Sequence, residues 1–434
     1  MLLERTGNFA RGVAYAEREH PYLLNVPASR MSASSAEPLQ FLKYAQRREP
    51  RTSADDFLPR ALYGDYLEEF LAAAELAAPH GVRVEKLHGE VSAIERPERT
   101  SPLQVVLANG RRLVADDVVL ASGNPPPATL PVTKALSGSS LFSSDPWSRP
   151  LGVRPEESVL IIGTGLTMVD VVLAATSRGQ PWPTIHAISR HGLVPPAQSS
   201  FRVDAFKGDG NMLLLAASSS LLRLLRSARV LAREAQRMGG DWREAVTFVR
   251  HMAPTLWQRL PEHERRRFLR HVRAYWDIHR HRLPPETVVR LDELRRAGAL
   301  HIHAGRLTQL TPAEQAISVT WTPRGQKRSQ QLAVNRVINC TGPDYDLRRS
   351  RDPLLKSLVN SGLAVADSLG LGLKTGAHGA LMDAEGWPGL HLYYLGPMLR
   401  ADHWEATAVL ELRGHAERLA SHLTGKVDDE SRDG

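Results

Sequence analysis

The stretch Val159-Leu-Ile-Ile-Gly163-Thr-Gly165-Leu-Thr-Met168-Val-Asp170 decides the fold of this chain. Four apolar residues run directly into Gly-Thr-Gly, and an Ala- and Val-rich helical pattern follows. Strand, glycine turn and helix in this order predict a dinucleotide-binding βαβ unit. Gly163 permits the tight turn, and Gly165 lets backbone N–H groups approach a pyrophosphate at the positive end of the helix. The pattern departs from G-x-G-x-x-G at its third position, where Met168 replaces a small residue.

The second strand of this unit indicates which dinucleotide binds. The apolar run that begins at Thr184 ends in Ser189-Arg190-His191. An acid at this position accepts a hydrogen bond from the 2′-hydroxyl of NAD, whereas a guanidinium grips a 2′-phosphate with two parallel bonds. The sequence therefore predicts NADP(H). The alternative is that Arg190 is a solvated arginine at the end of a strand.

Composition is typical of a globular protein with more than one domain. The chain has 434 residues, of which 42% are hydrophobic and 24% charged, and this length suits two or three domains. A single cysteine, Cys340, excludes internal disulfides and thiolate metal clusters, and it favours a cytoplasmic location. The carboxylate of Glu4 comes too early for a signal peptide, and no uncharged apolar run is long enough to span a bilayer.

The net charge of +8 raises the question of an anionic partner. Its excess is largely arginine, concentrated in a helical segment at about 210–298, where arginines 223, 226, 229, 233 and 237 alternate with leucines. We favour a helix that packs on the core and turns its arginines to solvent, and the alternative is a helix on an acidic membrane surface. No aromatic side chains interleave with these arginines, so nucleic-acid binding is not expected. His301-x-His303 lacks a third ligand at metal spacing, so no metal site is predicted.

Two segments match across a shift of 219 positions. The run from Leu113 to Gly123 aligns with the run from Leu332 to Gly342 in Leu, Asp or Asn, Val, Val or Ile, Ser or Thr, and Gly. The simple alternative is two unrelated strands of similar context. A real duplication predicts two dinucleotide domains that each close with this strand. The second has its glycine loop at Gly163, and the loop of the first is expected to precede Met1.

Several motifs together resemble the FAD/NAD(P)-binding flavoproteins akin to the flavin-dependent N-hydroxylating monooxygenases. They are Gly12-Val-Ala-Tyr15, Leu24-Asn-Val-Pro-Ala28, Arg30-Met-Ser32, Arg60-x-x-Tyr63, Ala121-Ser-Gly-Asn-Pro125, the Gly163 loop with Ser189-Arg190, and His391-Leu-Tyr-Tyr-Leu-Gly396-Pro397. The resemblance covers nearly the whole chain. It implies an α/β fold of two Rossmann-like domains, an FAD domain with an inserted NADPH domain, and here an additional arginine-rich helical insert.

The resemblance also implies the cofactor-binding residues. Glu4 would take the adenosine ribose of FAD, and Val91 would lie at its adenine. The helix expected to start at His403 would aim its N-terminus at the flavin. The remaining candidates at the flavin side are Gly12, Asn25, Met31, Ser32, Arg60, Ser122, Gly123, Gly396, Pro397, Trp404 and Thr407. Those for NADPH are Gly163, Thr164, Gly165, Leu166, Thr167, Ser189, Arg190 and Gly342.

We accordingly expect residues 1–150 to begin the FAD domain without its glycine loop, 151–342 to form the NADPH domain, and 343–434 to complete the FAD domain. The expected activity is an FAD-dependent, NADPH-using oxidoreductase of the monooxygenase type, acting on a small molecule with molecular oxygen. The alternatives are a flavin reductase or oxidase without oxygen transfer, and a nucleotide-binding protein that has lost flavin chemistry. No residue is assigned as a catalytic acid or base, and no feature predicts the oligomeric state.

Overall fold

The computed structural model describes residues 1–20, 22–98, 101–199 and 218–425. The chain divides into two compact units: residues 1–125 with 344–434 form unit 1, and residues 126–343 form unit 2. Residues 126–150, which we expected in the first domain, therefore belong to unit 2. The physical reason is that Phe142–Ser143 is a strand paired with Val337 and Ile338, in the sheet of unit 2.

The first segment of unit 1 alternates short strands with helices. Its elements are β1 (Leu2–Glu4), α1 (Gly12–Ala16), α2 (Gln40–Arg48), α3 (Arg60–Leu76), β2 (Lys86–His88), β3 (Val91–Glu95), β4 (Leu103–Leu107), β5 (Arg112–Ala115) and β6 (Val118–Leu120). The strands β1 and β2 pair in parallel, and β3, β4 and β5 form an antiparallel meander. The turn between β4 and β5 contains Asn109-Gly110, and Gly110 has the positive φ of +85° that such a turn requires.

Unit 2 is built on one seven-stranded sheet. Its elements are β7 (Phe142–Ser143), β8 (Ser158–Ile162), α4 (Leu166–Ala175), β9 (Thr184–Ser189), α5 (Leu221–Arg237), α6 (Trp242–Arg259), α7 (Glu262–His271), α8 (Arg273–Arg280), α9 (Pro285–Arg296), β10 (Leu300–Pro312), β11 (Ile317–Pro323), β12 (Gln330–Val334) and β13 (Arg336–Asn339). The strand order is β12-β11-β10-β9-β8-β13-β7, parallel from β10 to β7. The helices α5 to α9 form the arginine-rich insert, and residues 211–217, where we expected it to begin, lie outside the described residues.

The sheet of unit 2 is apolar on both faces, as parallel sheets are when layers cover both sides. On one face, Val159 and Ile161 pack with the buried side chains of α4 and α9. On the other face, Leu160 and Ile162 pack with Leu136, with Trp321 and with other side chains of the antiparallel strands β10 to β12. This burial explains why β8 reads as an unbroken apolar run rather than an alternating one.

The last segment of unit 1 returns to its sheet system. Its elements are α10 (Pro353–Asn360), β14 (Ala380–Met382), β15 (Pro388–Tyr394) and α11 (Val409–Leu423). The strand β15 pairs with β14 in the antiparallel sense and with β6 in the parallel sense. Leu120, Leu392 and Tyr394 from this sheet lie in one core with Leu355 and Leu358 of α10.

Each unit contains the same succession of strands, which agrees with the internal duplication. A parallel pair (β1 with β2, β9 with β10) leads into an antiparallel meander that ends with β5 in unit 1 and with β12 in unit 2. The next strand, β6 or β13, turns back into a parallel pairing. Three residues after the end of each of these strands comes a glycine with positive φ, Gly123 at +67° and Gly342 at +81°. None of the helices in the described part of the chain is long and apolar enough to cross a membrane.

Candidate functional site

Gly163 lies where β8 ends, and the backbone there leaves no room for a side chain. Its N–H donates to the carbonyl of Ile188 at 2.8 Å, and the N–H of Cys340 donates to the carbonyl of Ile162 at 2.9 Å. The φ of Gly163 is +114°, and an added Cβ would lie 2.9 Å from the carbonyl carbon of Cys340. Glycine is therefore required here by both the dihedral angle and the close approach of β13.

Gly165 is exposed and caps α4 at its N-terminus, and its surroundings differ from those of Gly163. Its φ is −87°, and an added Cβ would meet nothing within 4 Å. Among the described residues, no side chain caps this helix, so the N–H groups near Leu166 and Thr167 face open space. Met168 is fully buried in the core between helix and sheet, which is why a larger residue is accepted at the third motif position. The arrangement provides backbone donors and a positive dipole end for an anion.

Two hydroxyl groups join the loop after β8 to the loop after β9. The hydroxyl oxygen of Thr164 lies 2.8 Å from that of Ser189 and 2.5 Å from the carbonyl oxygen of Leu193. The N–H of Gly192 donates to the Ser189 hydroxyl at 3.0 Å. These bonds hold the ends of the two strands in a defined relation, since the Thr164 hydroxyl of one loop contacts two groups of the other.

Cationic groups gather at the end of β9. Arg190 is exposed, and the described residues offer its guanidinium no ion pair. Burial lowers the pKa of His191, and the nearby guanidinium groups of Arg324 and Arg190 lower it further. The Nδ1 atom of His191 is buried and has no hydrogen-bond partner in the described part of the chain. Two guanidinium groups thus lie near His191, and guanidinium groups are strong hydrogen-bond donors to an anion.

Gly342 ends β13 on the other side of β8. The chain runs from β8 to β9 on one side and returns in β13 on the other, so β8 is the point where the strand order reverses. Ligands of open parallel sheets bind at the carboxyl ends of the strands at such a point. The structure thus gathers Gly163, Thr164, Gly165 and Gly342 at this edge of the sheet.

In unit 1, Glu4 ends β1 and folds its carboxylate over the following loop. Oε2 accepts hydrogen bonds from the N–H and hydroxyl of Thr6 and from the N–H of Asn8, the last at 3.2 Å. Burial alone would raise the pKa of Glu4, but hydrogen bonds from Thr6, Gly7 and Asn8 outweigh it and hold the pKa below its usual value. The carboxylate is therefore ionised at neutral pH. The bonds from Thr6 and Asn8 all reach Oε2.

The other candidates from this segment lie around β2 and α3. The N–H of Gly89 donates to the carbonyl of Glu4 at 3.0 Å, and Val91 begins β3 two residues further on. Arg60 begins α3, and its Nε donates to the carbonyl of Leu23 at 3.1 Å. Asn25, two residues after Leu23, is half-buried in a bend. Gly12 begins α1 with a φ of +58° and open space beside it.

Met31 and Ser32 are buried, and their side chains are occupied by the protein itself. Met31 packs in a core that includes Val409 of α11. The Ser32 hydroxyl donates to the carbonyl of Glu37 at 2.6 Å, and Arg413 donates to the Ser32 carbonyl at 3.0 Å. Their side chains therefore fix the loop. Any contact with a ligand from this pair has to come from the backbone.

Four candidates distant in sequence meet at the carboxyl ends of β6 and β15. Ser122 and Gly123 follow β6, while Gly396 and Pro397 follow β15, which is parallel to it. Tyr394 lies between them: its hydroxyl accepts from the N–H of Met398 at 3.3 Å, and a hydrogen bond also links it to Ser122. Burial raises the pKa of Tyr394 to about 12, so the phenol stays protonated and able to donate.

The prediction that a helix starts at His403 is wrong. Residues 404–407 form tight turns, with the N–H of Ala406 bonded to the His403 carbonyl at 2.9 Å, and α11 starts only at Val409. Trp404 is buried beneath the guanidinium of Arg400, which lies 3.7 Å from its ring centre. Thr407 is half-buried in the same turn. Neither residue stands at a helix N-terminus, because Ala408 caps α11 and the helix begins at Val409.

A third histidine joins the pair that the sequence suggested. His186 on β9 pairs in register with His301 on β10, and its Nδ1 lies 3.2 Å from Nε2 of His303. The rings of His186 and His301 are nearly parallel at 5.0 Å, so their in-plane lone pairs do not converge. Within the described residues, no group of three potential ligands is arranged to hold a metal ion. Burial lowers the pKa of His186 to about 4, with further lowering from His301 and His303.

Sequence reasoning missed three residues of these sites. Arg324 follows β11, far along the chain from Arg190, and no local pattern marks it as a neighbour of His191. His191 directly follows Arg190 in the sequence, but it was not among the residues predicted to bind NADPH. Tyr394 was part of a quoted motif, and its burial at a strand end could have been inferred from the apolar run that precedes Gly396.

With these arrangements described, comparison with known proteins becomes informative. A family described as FAD-NAD(P)-binding matches residues 1–125. A comparison with curated protein sequences gave no significant match. The match therefore concerns the first segment of unit 1, which contains Glu4 and Gly123.

Solved structures resemble the chain over almost its whole length. The ornithine hydroxylase of Pseudomonas aeruginosa in its reduced form has a TM-score of 0.61 at 17% identity, covering 96% of this chain and 89% of its own. The L-lysine 6-monooxygenase of Pseudomonas syringae has a TM-score of 0.62 at 18% identity, with coverages of 93% and 86%. The ornithine N-hydroxylase of Kutzneria sp. 744, solved with reduced FAD, NADP⁺ and L-ornithine, has a TM-score of 0.58 at 14% identity, with coverages of 98% and 97%. The likeness confirms the predicted α/β fold with two Rossmann-like units.

Proposed function

We propose that the protein is an FAD-dependent, NADPH-using monooxygenase that hydroxylates a small molecule with molecular oxygen. The observation that carries this proposal is the full-length likeness to flavin monooxygenases together with two nucleotide-type edges of opposite charge, one in each unit. Two of the three similar structures are named for ornithine and one for lysine. These names suggest a terminal amino group as the site of hydroxylation.

The edge of unit 2 fits NADPH. The open space beside Gly165 admits a pyrophosphate against the uncapped N-terminus of α4. Arg190 and Arg324, the two guanidinium groups near His191, fit a 2′-phosphate, whose oxygens need several donors. Thr164, Leu166, Thr167, Ser189 and Gly342 line or position this edge in the proposal. A 2′-hydroxyl would leave two guanidinium groups without a partner, so we infer NADPH rather than NADH.

Unit 1 fits FAD at the residues that the chain supplies. The ionised carboxylate of Glu4 is an acceptor for a ribose hydroxyl, and Val91 begins β3 for the adenine. The proposed flavin contacts are the backbone at Met31 and Ser32, the open Gly12, Asn25, and Arg60 at the start of α3. Ser122, Gly123, Gly396 and Pro397 share one edge with the phenol of Tyr394, which can donate a hydrogen bond. Trp404 and Thr407 remain proposed contacts through the turn before α11.

When both cofactors are bound, they supply hydride transfer and oxygen activation, and the protein supplies binding and orientation. Backbone N–H groups of α4 hold the pyrophosphate of the nucleotide without any proton transfer. Arg190 and Arg324 fix its ribose end and so select the hydride donor. The protonated phenol of Tyr394 can donate a hydrogen bond at the carboxyl ends of β6 and β15. A cytoplasmic location accords with the single buried Cys340.

The test starts with purified protein incubated with FAD and freed of excess cofactor. We expect flavin absorbance to remain with the protein and to bleach on addition of NADPH without oxygen. With air, NADPH consumption in the presence of ornithine, lysine and short diamines should yield a hydroxylamine, detected by mass spectrometry as a gain of one oxygen atom.

Each alternative gives a different result in this assay. Hydrogen peroxide equal to the NADPH consumed, with every amine tested, would indicate an oxidase without oxygen transfer. A protein that retains no flavin even at saturating FAD would contradict the proposal as a whole. Bleaching by NADH at the same concentration and rate would contradict the assignment of NADPH.

A further inference from the structure

The helical insert of unit 2 carries the net charge of the chain. Residues 221–296 contain eighteen arginines, no lysine and nine acidic residues, a net charge of +9 in a chain whose total is +8. The proposed activity requires none of these arginines. A charge concentrated in one segment creates a positive potential there, which attracts an anionic partner.

The five arginines of α5 differ from the arginines of α7 and α9 that form ion pairs. On α7, Arg266 and Arg267 pair with Glu262 and Glu264, at 2.5 and 3.0 Å. On α9, Arg290 pairs with Glu293 at 2.7 Å. The five on α5 are all exposed, and no acidic side chain among the described residues forms an ion pair with them: Arg223, Arg226, Arg229, Arg233 and Arg237.

Their spacing places most of them on one face. Steps of three, four and four residues separate Arg226, Arg229, Arg233 and Arg237, so these four lie along one side of the helix over about 17 Å. The opposite side, which includes Leu224, Leu231 and Ala235, is buried against α6. The cationic face is therefore held rigidly outward, because the core contacts fix the rotation of the helix.

Apolar side chains stand among these arginines. Leu222 is 46% exposed and Val230 is 57% exposed, and the helical period puts both close to the arginine row. The helix has no aromatic residue on which a base could stack. Exposed aliphatic groups beside guanidinium groups suit a lipid interface, where acyl chains lie next to phosphates, better than a nucleic acid.

We propose that the outer face of α5 docks the protein on an anionic phospholipid surface. The guanidinium groups bind lipid phosphates, and Leu222 and Val230 enter the boundary between headgroups and acyl chains. The contact is peripheral: it uses one side of a helix whose other side stays in the core of unit 2. This proposal stands independently of the oxygenase activity.

The experiment is co-sedimentation of the full-length protein with vesicles. Phosphatidylcholine vesicles with roughly one-third phosphatidylserine should bind the protein, and pure phosphatidylcholine vesicles should not. Replacing Arg226, Arg229 and Arg233 by Gln should weaken binding about 30- to 100-fold at low salt. The matched control replaces Arg266, Arg267 and Arg290 by Gln, which removes the same charge from paired arginines and should change binding less than about threefold.

A second variant separates lipid from other anions. Leu222→Ser with Val230→Ser retains all charges and should still weaken vesicle binding about threefold to tenfold. Inorganic phosphate at millimolar concentration should not displace the vesicles, because a single phosphate lacks the array. Equal losses in both arginine variants, no binding to anionic vesicles, or tighter binding to duplex DNA that ignores the Leu222 and Val230 changes would each overturn the proposal. Circular dichroism and urea unfolding of each variant confirm that it is folded.

Discussion

The two units form the same succession of strands, but the corresponding strands β1 and β9 end in groups of opposite charge. In unit 1, β1 pairs in parallel with β2 and ends at Glu4, an ionised carboxylate. In unit 2, β9 pairs in parallel with β10 and ends at Ser189-Arg190, beside Arg324. One backbone arrangement thus provides two edges, an acceptor for hydroxyl groups and a donor set for a phosphate. The difference teaches that one strand topology can carry strand ends of opposite charge, and in the proposed function this charge decides which dinucleotide binds in each unit.

A second difference concerns the strand that carries the glycine loop. In unit 2, β8 lies between β9 and β13, and Gly163 contacts the backbone of Cys340. In unit 1, the pair β1 and β2 and the pair β6 and β15 belong to separate sheets in the described residues. In unit 2, a glycine that follows the first strand of the βαβ unit is therefore required by the close approach of β13.

The largest expected effect tests that packing demand. Gly163→Ala forces a left-handed dihedral on an L-residue and drives its Cβ into the Cys340 carbonyl, so we expect a loss of about 3 to 5 kcal/mol in unfolding free energy. Urea unfolding measures it. The matched change Gly165→Ala meets open space and should cost less than about 1 kcal/mol, yet raise the dissociation constant of NADPH at least about tenfold. If Gly163→Ala and Gly165→Ala lowered the unfolding free energy equally, the proposed difference in packing between the two glycines would be contradicted.

The charge at the end of β9 can be tested directly. Arg190→Ala should raise the KM for NADPH about 10- to 100-fold and change the KM for NADH less than about twofold, because the lost bonds reach the 2′-phosphate only. Arg324→Ala should act in the same direction. Arg178, exposed beyond the opposite end of α4, is the matched control. A parallel rise of both KM values in Arg190→Ala would refute the assignment.

The corresponding test in unit 1 is Glu4→Gln, which replaces a charged acceptor by a neutral one. We expect about a tenfold weaker FAD affinity, read from flavin fluorescence during titration. Glu19→Gln removes an exposed carboxylate nearby in sequence and should leave the affinity unchanged. Together with Arg190→Ala, this pair decides whether the two strand ends sort the two nucleotides.

The units should also differ in their response to acid. Unit 2 has three histidines, His186, His301 and His303, on its β9–β10 pair, where unit 1 has one, His88, on β1 and β2. The folded pKa of His186 is about 4, below the usual value near 6.5, so its neutral form stabilises the fold above about pH 6.5. That contribution is lost as pH falls towards 4, and we expect about 1 to 2 kcal/mol after allowing for solvent screening. His186→Leu should flatten the decline of urea stability between these pH values, while His80→Leu, an exposed change in unit 1, should not.

The smallest effect tests the duplication. Gly123 and Gly342 end equivalent strands in the left-handed region, and an added Cβ at either meets nothing within 4 Å. Each Gly→Ala change should therefore cost about 1 to 2 kcal/mol, and the two costs should agree. A clear inequality would show that the two returning strands are not equivalent.

The sequence by itself determined the features that local patterns encode. The run from Val159 to Gly165 contains a complete strand, turn and helix start, because burial on both faces and the tight turn constrain consecutive residues. The repeated strand-to-glycine pattern at Gly123 and Gly342 likewise led to two units of one kind. The arginine at position 190 was visible because it directly follows an apolar strand.

Tertiary structure alone decided the features that depend on distant partners. Arg324 reaches the Arg190 edge, and His186 joins His301, only through the pairing of strands whose register no local pattern reveals. Phe142–Ser143 belongs to unit 2 because Val337 and Ile338 supply its hydrogen bonds. The physical reason is common to all three. The intrinsic preference of a short segment is too weak to determine which strand it pairs with, and hydrogen bonding and burial against remote residues decide the pairing.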